Sequence, residues 1–334
     1  MAQSTLLQAI EQIEREKGID RDVIIHALED AYAAAARKVM KSRENLISSF
    51  DNDSGDFAVY AKKVVVPEVE DEDVEISLED ALEIDPNADF DQEIHFPRNI
   101  PELGRIAAQA AKQVIYQKVK EAEREKIYND YIDRVGEPIN GIVKRFERGD
   151  LIVDLGPTEG IVPRRESSRA EHYNPGDRIR AIIVDVERSG KGPQVILSRT
   201  DPRLVMELFK MEVPEIYDGT VRIISAARDA GERTKIAVQS RDRDVDPVGA
   251  CVGMKGNRVQ SVIRELRGER IDIVQYHEDP MDFVREALKP ATANRVADRN
   301  DDAREVEVIV ADEQLSQAIG RRGQNVRLAG RLVG

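Results

Sequence analysis

Cys251-Val252-Gly253-Met254-Lys255-Gly256-Asn257-Arg258-Val259 recurs as Ala318-Ile319-Gly320-Arg321-Arg322-Gly323-Gln324-Asn325-Val326, 67 residues further on. Both copies read aliphatic-Gly-x-x-Gly-x-x-Val, with a helix-like segment before the first glycine and a helical pattern opening at the second. Two glycines around two exposed residues let the backbone pass within contact distance of a sugar-phosphate chain. The helix that follows supplies free N–H groups and a positive dipole end. One copy alone is compatible with an ordinary corner between two helices. Repetition in one register, with matched aliphatic flanks and basic inner residues, makes the pair an architectural signal.

The surroundings of each copy repeat as well. From Asp201-Pro202 the pattern predicts a helix over 202–212, strands at 220–225 and 234–240, two helices around the loop, and a strand at 271–274. The order αββααβ and the loop both resemble the type II KH domain, whose loop clamps about four nucleotides by their backbone. A second pass follows, with a helix at 281–288, strands near 293–298 and 305–311, a helix at 312–319 and another from 323. By the 67-residue offset Gly334 matches Arg267, so the strand 271–274 has no counterpart and the second unit is expected to be truncated.

Residues 135–200 differ in character. Strands are expected at 139–146, 151–155, 160–163, 178–187 and 194–198, with turns at 147–150, 174–177 and 189–192. Five strands in so short a stretch suit a small closed barrel of the OB type. The words GIVKRFERGDLIVDLG, EGIVPRRE, YNPGDRIRAIIVDV and QVILSR resemble the S1 RNA-binding domain over its whole length.

The N-terminal third reads as α+β: helices at 3–17 and 21–42, a hairpin over 45–66 turning at 51–56, and a long helix opened by Pro101 and Glu102. Of the net charge of −14, residues 1–134 carry −13, and the 13 carboxylates between Glu68 and Glu93 include no compensating Lys or Arg. That run is expected to be mostly a solvated face with one short helix, 77–84. So acidic a front end repels nucleic acid and faces protein, while the remaining residues, near charge balance, present local basic faces. No apolar run reaches the ~20 residues of a membrane helix, and the N-terminus is no signal peptide. Cys251 is the only cysteine. A soluble, cytoplasmic, multidomain α+β protein without membrane attachment or cofactor is expected.

The domain order acidic α+β, S1, KH, KH, with FKMEVPEIYDGTV, AAQAAKQVIYQKVKEAERE and LSQAIGRRGQNVRLA, is similar to the NusA family of bacterial transcription elongation factors over nearly the whole chain. The resemblance implies four domains: 1–134, which binds RNA polymerase; 135–200, the S1 barrel; 201–277 and 278–334, the two KH domains. It implies a non-catalytic, monomeric factor that grips nascent single-stranded RNA, works with other elongation and antitermination factors, and modulates pausing, termination and antitermination.

The expected RNA contacts follow from the loops. Gly253, Gly256, Gly320 and Gly323 permit backbone approach, with Met254 between the first pair, and Lys255, Arg321 and Arg322 offer charge. Asn257, Arg258, Gln324, Asn325 and Arg327 occupy the first turns of the following helices, placed for RNA. For Asn257 and Gln324 the alternative is helix capping; for Arg258 and Arg327 it is surface ion pairing. Val252, Val259, Ile319 and Val326 are expected to pack the helices together. In the barrel, Lys144 and Arg145 supply charge and Phe146 is either a stacking platform or core, with Tyr173 and His172 the other rings nearby. The competing class is an RNA-processing enzyme of the polynucleotide phosphorylase kind. Those enzymes place KH before S1, behind a large catalytic core, whereas this order is reversed. The four histidines show no metal-ligand spacing, and no catalytic signature is present.

Overall fold

The computed structural model describes residues 5–41, 43–51, 55–100, 103–188, 190, 192–300 and 305–334. The centre of the expected 51–56 turn, the Pro101-Glu102 helix start, residues 189 and 191 of the 189–192 turn, and the first residues of the 3–17 helix lie outside them. Contacts divide the chain into two compact units, 1–126 and 127–334.

The first unit contains α1 (Thr5–Lys17), α2 (Arg21–Met40), β1 (Leu46–Phe50), β2 (Phe57–Val66), β3 (Glu75–Ser77), α3 (Leu78–Ile84), β4 (Glu93–Arg98) and most of α4 (Leu103–Ile132). Strand β2 pairs antiparallel with β1 and β4 and parallel with β3. Leu7 and Ile10 of α1, Ile24 and Leu28 of α2 and Ala111 of α4 close one core. Most carboxylates of the acidic run are exposed, as expected, and its short helix is α3, but the run also holds a strand that the sequence did not show. It contains β3 and reaches the start of β4, and its buried apolar residues, Ile76, Ala81 and Ala88, pack with Val65 and Ile94. Strand β3 is hidden in the sequence because it buries a single residue, Ile76, directly after a run of carboxylates.

The second unit begins inside α4, where Tyr131, with Ile127, Tyr128 and Ile132, packs on the barrel core. That barrel is closed by β5 (Pro138–Glu147), β6 (Asp150–Asp154), β7 (Glu159–Val162), β8 (Arg178–Val186) and β9 (Val195–Ser198), in the order β5-β6-β7-β9-β8. Inward-facing Val143, Leu151, Val153, Ile183 and Leu197 fill it.

Next come α5 (Pro202–Glu212), α6 (Pro214–Tyr217), β10 (Val221–Asp229), β11 (Arg233–Ser240), α7 (Pro247–Val252), α8 (Asn257–Glu265) and β12 (Arg270–Gln275). The last domain has α9 (Pro280–Ala287), β13 (Ala293–Asn300), β14 (Glu305–Val310), α10 (Asp312–Ile319) and α11 (Gln324–Val333). Three of these helices start at Asp-Pro. Asp201, Asp246 and Asp279 each accept a bond from an N–H in the first turn (Arg203, Val248 and Met281), and the proline supplies the helical φ that follows. The first sheet runs β10-β11-β12, with β12 parallel to β11, while among the described residues the second has two strands.

The two KH domains share one core. Ala227, Ala237 and Val274 of the first pack with Phe283, Ala287, Leu288, Leu328, Ala329 and Leu332 of the second. Fully buried Lys235 donates from Nζ to the Lys289 carbonyl at 2.6 Å across the junction. Its ammonium pKa is lowered by burial, against which Asp272 works. The docking is thus apolar at its centre and polar at its edge.

Candidate nucleic-acid interface

Each Gly-x-x-Gly loop carries three left-handed residues out of four. Gly253 (φ 74°, ψ 175°) and Gly320 (φ 76°, ψ 169°) lie in a region open essentially to glycine alone. Lys255 (φ 52°, ψ 25°) and Arg322 (φ 54°, ψ 32°) are left-handed although they carry side chains, and Gly256 (φ 77°) and Gly323 (φ 69°) follow in the same region. The two loops are conformational copies.

The glycines of each pair serve different ends. A Cβ on Gly253 would stand 2.5 Å from Asn257 Oδ1, and one on Gly320 would stand 2.7 Å from Asn325 Cβ, so the first glycine is required by the packing of the next helix. A Cβ on Gly256 or Gly323 would meet little or nothing. The second glycine therefore leaves open space, which a phosphate backbone can enter.

Around that space the side chains sort into free and committed. Met254 is 86% exposed, and Lys255, Asn257, Arg321 and Arg322 are exposed, with no hydrogen bond or ion pair to any described residue. Arg258, expected either at RNA or in an ion pair, is ion-paired here: it donates to Glu215 Oε2 at 3.0 Å and to the Ala250 carbonyl at 2.6 Å, tying α8 to α6 and α7. Asn325 is corrected from the expected RNA contact. It is fully buried and its amide donates to the Leu288 and Ala318 carbonyls, both at 3.0 Å, so it fastens α10 and α11 together. Gln324 is buried, its amide directed to Glu232 at 2.9 Å and Asp229 at 3.4 Å in the first KH domain. Arg327 stays over half exposed, with a 3.4 Å contact to Asp229. Burial raises the Asp229 carboxyl, but Arg331, Gln324 and Arg327 outweigh it and hold it below its usual range.

The aliphatic flanks split as well. Val259 packs on the first KH core, whereas Ile319 and Val326, expected to be buried, are 45% and 49% exposed. Cys251 is buried, which pushes its thiol up to about 12 and leaves it unreactive at neutral pH.

In the barrel, Phe146 is 49% exposed. It lines a cavity of about 370 Å³ together with Leu151, His172, Tyr173 and Arg199, so the three rings singled out in the sequence meet at one place. Arg199 was not singled out, because a single arginine at a strand end carries no sequence signal. It is 1% exposed, ion-paired with Glu171 and bonded to the Arg180 and Glu265 carbonyls, joining the barrel to the first KH domain. Lys144 and Arg145 are committed to Glu159, at 2.9 and 2.8 Å. The bonds from Arg145 and then Lys144 hold that carboxyl down to about 2, so it remains charged at any working pH. Replacing Glu159 with Gln is expected to release Lys144, while Arg145 stays paired with Glu147, and to steepen the salt dependence of RNA binding by up to about 0.7 in log–log slope, one phosphate's share. Titrations at several salt concentrations measure it, and an unchanged slope would remove Lys144 from the interface.

Comparison with known proteins bears on what binds here. Family models match the chain in sequence order: the NusA N-terminal domain at 5–125, the S1 RNA-binding domain at 132–198, and the NusA-like first and second KH domains at 199–276 and 280–334. A curated relative from Halalkalibacterium halodurans is 46% identical over 331 residues, covering 99% of this chain and 86% of its own length. The chain belongs to the NusA family. The Bacillus subtilis relative is also 46% identical, covering 99% of this chain and 89% of its own, and that from Thermus thermophilus is 39% identical, covering 98% and 87%. All three bear the name transcription termination/antitermination protein NusA. The S1 and KH domains are the RNA-binding domains of this family.

Proposed function

We propose that this chain holds nascent single-stranded RNA in its S1 and KH domains, binds RNA polymerase through residues 1–134, and modulates pausing, termination and antitermination. The observation that carries the RNA half is the pair of conformationally matched loops with unpaired Lys255, Arg321 and Arg322, held in one compact unit by a shared core. Two clamps of about four nucleotides give a continuous site of roughly eight to ten. With Arg258 committed to Glu215, three loop cations remain. Log K measured on a 201–334 fragment is then expected to fall against log salt with a slope of about −2, at 0.7 per phosphate. Protection of only four nucleotides, or a slope near zero, would refute the paired clamp.

The polymerase half rests on charge and exposed apolar surface. Residues 1–134 carry −13, a Coulomb penalty against RNA and a steering force toward a basic protein surface. Within the acidic run Leu82, Ile84 and Phe90 are 43–53% exposed among Glu79, Glu83, Asp85, Asp89 and Asp91, an apolar centre with a charged rim. Titrating the isolated 1–134 fragment against core polymerase and against single-stranded RNA is expected to show binding to the first alone. Equal affinity for RNA, or failure to compete with the full chain for polymerase, would sink this division. The cytoplasm as location, a monomeric state and cooperation with other elongation and antitermination factors belong to the same reading.

A further inference from the structure

The two loops have one backbone and two chemistries. With the 67-residue offset, Met254 corresponds to Arg321, Lys255 to Arg322, Asn257 to Gln324 and Arg258 to Asn325. The second loop therefore offers two unpaired guanidinium groups, while the first offers one ammonium and a thioether. The amide groups differ more. Gln324 is buried and occupied by Glu232 and Asp229, so it is unavailable to a ligand. Asn257 is exposed and bonded to no described residue, and its Oδ1 lies over Gly253, 2.5 Å from where a Cβ on that glycine would stand. Over Gly320 the nearest atoms are the backbone and Cβ of Asn325. At the position that follows the second glycine, an uncommitted amide thus exists in the first KH domain alone of the two.

Charge and amides select differently. Guanidinium groups on phosphates hold a strand irrespective of its sequence. A free amide presents one donor beside one acceptor, the pattern that pairs with the edge of an unstacked base. We infer that the loops divide the work: the second, through Arg321 and Arg322, anchors the strand by charge, and the first, through Asn257, selects the base at one nucleotide position. Met254, 86% exposed, flanks that position with a polarisable apolar surface for the base face. This rests on the RNA reading above and adds to it which loop discriminates.

The test uses the full chain with a set of ten-nucleotide RNAs, each position varied in turn, titrated at several salt concentrations. The unaltered chain is expected to prefer one base at one position by about ten-fold, the lower part of what a paired base contact gives. Asn257→Ala is expected to reduce that preference to about two-fold or less with the salt slope unchanged, and Asn257→Gln to restore part of it. Arg321→Ser with Arg322→Ser is expected to lower the slope by about 1.4 and leave the preference standing. Since the Asn257 side chain makes no hydrogen bond within the described residues, its replacement is expected to leave the fold intact, and the unchanged slope reports that. A preference that survives Asn257→Ala, or one that disappears with the arginine pair, overturns the assignment. Binding without any base preference overturns this inference alone, and no RNA binding by the unaltered chain overturns the RNA reading itself.

Discussion

Replacing Met254, Lys255, Arg321 and Arg322 together with aspartate abolishes RNA binding and leaves both KH domains folded. All four side chains are exposed and unbonded to any described residue, so their removal breaks no intramolecular contact. Two of them, at Lys255 and Arg322, occupy left-handed backbone, which aspartate tolerates better than most residues. Aspartate next to the N-termini of α8 and α11 also complements their dipoles, by about 0.3–1 kcal/mol each. Thermal unfolding is therefore expected to be unchanged or slightly raised. Toward RNA the sign reverses: three cations are lost and four anions face the phosphates. The loss is expected to exceed about 100-fold at physiological salt, given the steepness of phosphate-driven binding. Affinity that survives in a folded variant would place the RNA elsewhere on the molecule.

Much of this arrangement was legible in the sequence, and for physical reasons. Glycine at positive φ is required by backbone geometry, so the loops announced themselves. The barrel strands showed because apolar residues alternate between good turn residues, and the helices because Asp-Pro marks their starts. What could not be read was which polar residue is spent on the fold. Asn257 and Gln324 occupy equivalent positions after the second glycine, yet one is free and the other is bonded to Glu232, 92 positions away in sequence. Arg258 and Lys255 both read as cations beside a loop, and only the position of Glu215 gives the first an ion pair that the second lacks. The acidic run hid β3 for a related reason, since a strand needs only one buried side chain, here Ile76, when its neighbours do the rest. Long-range pairing decides these cases, and local pattern carries no information on it.

Glu269 is the clearest such case, and removing it is expected to have the largest effect on stability of any single change in the KH pair. In sequence it lies in Gly268-Glu269-Arg270 and resembles a surface turn. In the fold it is 1% exposed and accepts from Arg228 Nε at 2.8 Å and Nη2 at 2.9 Å, from Gly231 N at 2.7 Å, and from Thr234 Oγ1 at 2.5 Å. Glu269→Ala would leave the Arg228 guanidinium, whose side chain has no exposure at all, without its counter-charge. Breaking one side of such a pair costs about 3–5 kcal/mol. Replacing both partners, Arg228→Met with Glu269→Leu, is expected to recover part of that loss, because no charge then remains buried. The effect should reach RNA as well. Gly231 sits in the β10–β11 turn whose Asp229 and Glu232 receive Gln324, Arg327 and Arg331 from α11. Loosening the turn loosens the second loop's seat on the first domain, so the protected length should fall from eight to ten nucleotides toward about four under conditions where Glu269→Ala is still folded. Urea unfolding gives the first quantity and nuclease protection the second. A variant within about 0.5 kcal/mol of the original, the range of ordinary surface substitutions, would show that the buried pair is not what holds the domain together.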